Sequence, residues 1–258
     1  MLCLLCYNSV ITFWAIGKWC PLERKIPTLY YKFLLFDLDH TLLDFDAAEE
    51  AALTELLLEV GVEDIEAYKA YYKPMNQQLW RDLEAKKITK PQLVKTRFTL
   101  LFEHFGHQVD GEAMAMLYEK HLSQQGQTYH GASELLEDLT AAGYDIYGAT
   151  NGITAIQEGR LARSSIGNFF KQVFISEQSG TAKPDPAYYD WIAQQIDGFQ
   201  KQAALMIGDS LSADIQGGHN AGIDTIWYNE RGLVNDTILE PTYVADSYDA
   251  IRAILLNH

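Results

Sequence analysis

Residues 31–36, Tyr-Lys-Phe-Leu-Leu-Phe, form a short apolar, aromatic-rich run that ends abruptly in Asp37-Leu38-Asp39-His40-Thr41. A run of this kind reads as a strand buried on both faces of a parallel sheet. Two carboxylates at the end of a buried strand are costly unless something positive compensates them. The pairing therefore imposes two requirements. The sheet must be covered by helices on both faces, and the acids must meet a cation.

Beyond Gly131 the pattern repeats as strand and helix in alternation. A helix over 133–142 precedes a strand over 144–149 that runs into Thr150-Asn151-Gly152. A helix over about 153–164 leads to a strand at 173–176, and a helix follows at 186–196. Residues 203–207, Ala-Ala-Leu-Met-Ile, form another buried strand ending in Gly208-Asp209. A helix over about 212–220, strands at 224–228 and 242–245, and a helix over 247–256 complete the chain. Alternation of this kind argues for an α/β fold, a doubly wound parallel (Rossmann-like) sheet with helices on both faces.

Residues 46–125 break the alternation with helical patterns alone. Asp46-Ala-Ala-Glu49 has the form of a capping box, followed by Ala48, Ala52, Leu56 and Leu57 at helical spacing up to Gly61. Further helices are expected over 64–86, over 89–106 with Thr89 as cap and Pro91 in the first turn, and over 110–124. The expected organisation is thus a core of 32–45 and 126–258, an α-helical insertion of 46–125 after the first strand, and an N-terminal extension of 1–31.

That extension is apolar but has no basic start for a signal peptide, and polar residues interrupt it before a spanning length. It reads as a weak membrane anchor, an added strand or helix, or an upstream extension of the reading frame, the last being favoured because the body looks complete. Cys3, Cys6 and Cys20 all lie within it, so the body has no disulfide framework, which suits a reducing cytoplasm. With 35 acids against 20 bases the net charge is −15, which disfavours nucleic-acid polymers as partners. No membrane association is expected of the body, and a monomer or homodimer is.

Ligands of open α/β sheets sit at the carboxyl ends of the strands. Three such ends here carry Asp37 and Asp39, Thr150 and Asn151, and Asp209, and Lys183 lies in the loop after the 173–176 strand. Three carboxylates placed together cannot all ionise without a cation. Oxygen ligands beside a phosphate group suggest Mg²⁺.

Four motifs stand in order: Asp37-Leu-Asp39-His-Thr41, Thr150-Asn151-Gly152, Lys183-Pro184 and Gly208-Asp209-Ser-Leu-Ser-Ala-Asp214. Each alone is a short string that occurs by chance; together, each after an expected strand, they make the chain similar to the haloacid dehalogenase superfamily, from Phe33 to Asn257. The helical insertion looks like that family's type-one cap domain. The resemblance implies Asp37 as nucleophile and metal ligand, and Asp39 as general acid and base whose main-chain carbonyl also ligates Mg²⁺. It implies Thr150 and Asn151 as phosphate-binding groups, Lys183 as the neutralising catalytic cation, Asp209 as a direct metal ligand and Asp214 as an outer-shell residue. Asp39 favours phosphate esters over carbon–halogen bonds, since an alkoxide needs a proton to leave and a halide does not.

Within the insertion, Tyr72-Lys-Pro-Met-Asn76-Gln-Gln-Leu-Trp80, Glu84, Ile88 and Thr96-Arg97-Phe98, with Asp214-Ile-Gln-Gly-Gly-His-Asn-Ala-Gly222, resemble the pyrimidine 5′-nucleotidase subgroup. The substrate implied is a small phosphomonoester, a nucleoside 5′-monophosphate, with Trp80 stacking on a base and Asn76 or Arg97 bonding base or sugar. The plainer reading of Trp80 and Arg97 is cap core and a cap salt bridge. His130 and Tyr189 depart from the proline and phenylalanine usual in relatives. Sugar-phosphate or phosphoglycolate phosphatase, phosphomutase and non-catalytic binding protein are the alternatives.

Overall fold

The structure, a computed structural model, describes residues 30–256. The expectations for residues 1–29, including all three cysteines, lie outside the described residues. Strand β1 (Phe33–Phe36) pairs in parallel with β2 (Asp145–Thr150) on one side and β4 (Ala204–Gly208) on the other. Outward from these lie β3 (Gln172–Ile175), and β5 (Asp224–Tyr228) followed by β6 (Tyr243–Ala245). The sheet order is β3-β2-β1-β4-β5-β6, every pairing parallel. The chain winds outward from β1, returns beside it, and winds out the other way. The reversal leaves a crevice at the carboxyl ends of β1 and β4. Asp37 and Asp209 directly follow those two strands.

Strand periodicity sorts the core into two layers. Leu34 and Phe36 of β1 face one side, with Ile146, Leu205, Ile207 and Ile226. That side is covered by α5 (Ala132–Ala141) and α10 (Tyr248–Leu256) through Leu135, Leu139, Ile251 and Leu255. Phe33 and Leu35 face the other side with Phe174 and Met206, under α8 (Pro186–Gln195) and α9 (Gln216–Ala221). Each of these side chains, once fully buried, contributes on the order of 2 kcal/mol. Tyr31 also packs into the first layer, and its hydroxyl donates to Asp224 Oδ2 at 2.7 Å.

Between β1 and β2 stand α1 (Phe45–Glu59), α2 (Ile65–Glu84), α3 (Lys90–His104) and α4 (Gly111–Leu122), with no strand among them. Leu53, Leu56, Tyr68, Phe98, Leu101 and Tyr118 make a third apolar cluster. Thr89 caps α3 in a capping box with Gln92, as expected. The cap of α1 is Asp44 and not Asp46: Asp44 Oδ1 accepts from the Ala47 amide at 2.9 Å. The Asp44 amide donates to Gln127 O at 3.0 Å, and this distant contact fixes where the chain turns into the helix. Asp46 is exposed and faces Arg231 at 3.4 Å.

Two short elements also differ from expectation. A helical turn, α7 (Ser176–Ser179), follows β3 directly, and the helix expected over 212–220 opens as a wide π-helical turn over Leu211–Ile215. α6 (Thr154–Arg163) follows β2. Among the described residues no helix is long and apolar enough to cross a membrane.

Candidate active site

Lys183 organises the crevice. Its ammonium donates to Asp37 Oδ1 at 2.7 Å, Asp214 Oδ1 at 2.6 Å and Ala149 O at 2.7 Å. All three side chains are buried: Lys183 is 5% exposed, Asp214 1% and Asp37 8%. A group this buried keeps its charge only when paired and hydrogen-bonded. Burial pulls the lysine toward its neutral form, but Asp214 and Asp37 outweigh that and hold its pKa well above the ordinary value.

Asn151 sets where the lysine stands. Its Oδ1 accepts from the Lys183 amide and its Nδ2 donates to the Lys183 carbonyl, both at 2.9 Å. The sequence placed Asn151 at the strand end but gave no sign of this clamp across to the lysine loop. The π-helical turn does the same for Asp214. Ser210 caps it by accepting from the Ala213 amide, and Asp214 Oδ2 accepts from the Ser210 amide at 3.0 Å. The carboxylate so positioned packs against Gly208, where a Cβ would collide with it. Only glycine lets the strand end approach so closely.

Asp37, Asp209 and Asp214 each offer a carboxylate oxygen, and the three lie within 4.8 Å of one another. Three acids against one ammonium leave an excess of negative charge. Burial, opposed by Lys183 and reinforced by Asp214 and Asp209, holds the pKa of Asp37 well above the ordinary value. Asp209 is pushed up to about 7, mainly by burial and then by Asp214. A hard dication at the shared oxygens would relieve both shifts, and an all-oxygen donor set suits Mg²⁺. The Asp209 main chain is fixed by Thr41 Oγ1, which accepts its amide at 3.2 Å, and by the Trp227 indole N–H, which donates to its carbonyl at 2.9 Å. A cavity of about 660 Å³ opens beside Asp209 and is lined by Ser210, Ser212, Trp227, Leu233 and Val234.

Asp39 stands apart from this cluster. Its carboxylate pairs with Arg160 and accepts from Gln157 Nε2, both from α6. Arg160 is fully buried, with its guanidinium 5.5 Å from the Phe45 ring at the start of α1. Neither residue emerged from the sequence. The available signal was their spacing of three on one helix face directly after Thr150-Asn151-Gly152. Gln157 Nε2 also donates to Thr150 Oγ1 at 3.1 Å, as does the Gly152 amide at 3.0 Å. With both bonds accepted, the Thr150 hydroxyl proton points elsewhere. His40 takes φ +63°, an uncommon value for a residue with a side chain, so the loop after Asp39 carries local strain.

The insertion residues lie in the helical layer. Asn76 and Arg97 are buried there, and Trp80 is half-buried one turn beyond Asn76. Asn76 Nδ2 donates to Glu49 Oε1 at 3.1 Å. The salt bridge expected as the plainer role of Arg97 is absent among the described residues. Its guanidinium instead lies 5.0 Å from the Phe98 ring and 4.9 Å from the Tyr118 ring.

The chain is similar to known proteins over most of its length. The chain is 63% identical over 220 residues to the pyrimidine 5′-nucleotidase PynA of Streptococcus pneumoniae, covering 85% of this chain and 93% of that protein. It is 30% identical to the pyrimidine 5′-nucleotidase YjjG of Escherichia coli, covering 88% and 99%. The magnesium-bound crystal structure of the putative HAD-hydrolase YfnB from Bacillus subtilis superposes with a TM-score of 0.83 at 38% identity, covering 88% and 99%. The profile of the haloacid dehalogenase-like hydrolases matches residues 34–228, and the chain belongs to that family.

Proposed function

We propose that the protein is a Mg²⁺-dependent phosphatase of small phosphomonoesters, acting on pyrimidine nucleoside 5′-monophosphates through an aspartyl-phosphate. The observation that carries this reading is the Lys183 ammonium shared between Asp37 and Asp214, with Asp209 alongside, at the crevice between β1 and β4. Identity to PynA and YjjG supports the nucleotide substrate.

An Asp37 carboxylate oxygen attacks phosphorus, and the bond from phosphorus to the ester oxygen breaks. Asp39 gives its proton to the departing alkoxide. The resulting Asp39 carboxylate then takes a proton from water, the hydroxide attacks the aspartyl-phosphate, and phosphate leaves with Asp37 restored. Lys183 holds Asp37 in place and offsets charge on the transferring group. The Thr150 hydroxyl and the Asn151 main-chain amide bind phosphoryl oxygens. Asp37 and Asp209, with the main-chain carbonyl of Asp39, would hold Mg²⁺, and Asp214 orients Lys183 beside it. The ion, when bound, supplies positive charge for the phosphoryl oxygens.

For Asp39 to reach the leaving group it must exchange its contacts with Arg160 and Gln157 for the substrate. Helices α1 to α4, residues 46–125, act as a cap over the core of residues 32–45 and 126–258. The test is phosphate release from UMP, dUMP, glucose 6-phosphate and phosphoglycolate, with Mg²⁺ and after chelation. Fastest release from UMP or dUMP, abolished by EDTA and restored by Mg²⁺, is expected. Preference for either non-nucleotide, or metal-independent turnover, overturns the reading.

A further inference from the structure

The helical layer contains a second polar cluster. Glu49 from α1, Tyr72 and Asn76 from α2, Arg97 from α3 and Tyr118 from α4 are 7%, 0%, 4%, 3% and 0% exposed. They stand together, with the Tyr118 ring 4.9 Å from the Arg97 guanidinium and 6.1 Å from the Tyr72 ring. Among their buried atoms, Asn76 Oδ1, Arg97 Nε and Nη2, and both tyrosine hydroxyls have no hydrogen-bond partner. Native interiors leave only a few such groups unpaired per hundred residues. Five stand together here, among helices otherwise packed through apolar residues, with the polar ends of Tyr72, Tyr118 and Arg97 facing one another.

Its position relates it to the crevice. Lys90, the first residue of α3, donates to the main-chain carbonyls of Asn151 at 3.1 Å and Gly152 at 2.8 Å. Arg97 is seven residues further along the same helix, about 10 Å at 1.5 Å per residue. Ile153 and Ile156, just past the phosphate-binding turn, pack into the same layer. The cluster thus lies on helices that border the Asn151 turn, with Arg97 about two turns along α3 from the residue that touches it.

We infer that Arg97 and Asn76 read the edge of the nucleobase, and that Glu49 is a positioning residue for Asn76. This rests on the nucleotidase reading above. The Glu49 carboxylate takes the Asn76 amide N–H, so Asn76 presents its oxygen, an acceptor, to the ligand. Arg97 presents two N–H donors. A carbonyl beside a ring N–H, as in uracil, satisfies both. Cytosine turns its unprotonated ring nitrogen toward the Asn76 oxygen and leaves two acceptors facing each other. Burial, eased by the bond from Asn76, holds the Glu49 pKa up to about 7.

The test compares wild type with Arg97→Lys, Asn76→Leu and Glu49→Gln on UMP, CMP and ribose 5-phosphate, following kcat and KM separately. The expected result is a loss of at least about tenfold in kcat/KM for UMP relative to ribose 5-phosphate in the first two variants, with ribose 5-phosphate turnover retained. Glu49→Gln, which frees Asn76 to turn its amide, is expected to narrow the UMP/CMP ratio. Parallel loss on all three substrates, or unchanged ratios, overturns the assignment. Thermal shifts of the Asp37→Asn protein with UMP and CMP provide a readout independent of turnover. Equal shifts overturn base reading even if the phosphatase reading stands, and a larger UMP shift supports it even if turnover fails.

Discussion

The two polar clusters of this molecule are buried to a similar degree and satisfied in opposite ways. At the sheet edge the buried lysine and two of its acids are directly paired: Lys183 holds Asp37 and Asp214, and the Ser210 amide holds Asp214 in turn. What that cluster lacks is charge balance. In the helical layer Asn76 holds Glu49, but Asn76 Oδ1, Arg97 Nε and Nη2 and the hydroxyls of Tyr72 and Tyr118 have no hydrogen-bond partner. A paired but over-charged cluster calls for an ion and a charged reactant, whereas an unpaired one calls for a neutral, hydrogen-bonding surface. On the proposed reading, the first cluster does the chemistry and the second selects the substrate.

The largest effect expected at the sheet edge is kinetic. Asp37→Asn keeps the side chain's shape but removes the attacking carboxylate. Phosphate release should fall by about 10⁴-fold or more, with the far-ultraviolet circular dichroism unchanged. Appreciable turnover in that variant would remove Asp37 as nucleophile.

A stability comparison follows. Lys183→Met leaves Asp37 and Asp214 buried without their cation, which costs about 3–5 kcal/mol. Urea unfolding should show this, and adding Asp214→Asn should recover part of the loss. Arg97→Met in the helical layer removes a guanidinium with two unpaired nitrogens and should be milder, since it breaks no direct ion pair among the described residues. Equal losses in the two variants would erase the distinction between the clusters.

Much of the sheet edge was legible in the sequence, because its chemistry sits where strands end. Asp37, Thr150 and Asp209 each close a buried apolar run, and a parallel sheet brings such ends together. Lys183 was legible by its motif. The partners of Asp39 were not: Gln157 and Arg160 lie 118 and 121 residues away, on a helix face that reads as ordinary surface. Glu49 was visible only as the end of an apparent capping box, and no local pattern joins it to Asn76.

Glu49 gives the helical layer its own pH dependence. Its folded pKa of about 7 lies above the ordinary 4.5, so the folded protein holds this proton more tightly than the unfolded chain. The corresponding stability is fully present below about pH 4.5 and is lost as the pH rises toward and through 7. A shift of this size corresponds to no more than about 3 kcal/mol. In Glu49→Gln the decline in urea midpoints between pH 5 and 8 should shrink to the part carried by Asp209, whose pKa is also pushed up to about 7. A decline of the same size in the variant would show that another group carries it.

The smallest expected effect lies where the two regions join. Asp44 caps α1 while its amide holds Gln127 O, so one residue closes the helical layer and ties it to the core. Local pattern favours Asp46, because Asp46 and Glu49 have the spacing of a capping box. The long-range bond to Gln127 moves the helix start two residues earlier, and no window of sequence around position 45 contains that information. Asp44→Ala should therefore cost about 1 kcal/mol, the usual value of a lost N-cap, and Asp46→Ala should cost little, since an exposed pair with Arg231 is worth less than that. Unfolding midpoints of the two variants decide it. If Asp46→Ala proved the more damaging, the helix would start where the sequence pattern puts it, and the junction between the two regions would have to be redrawn.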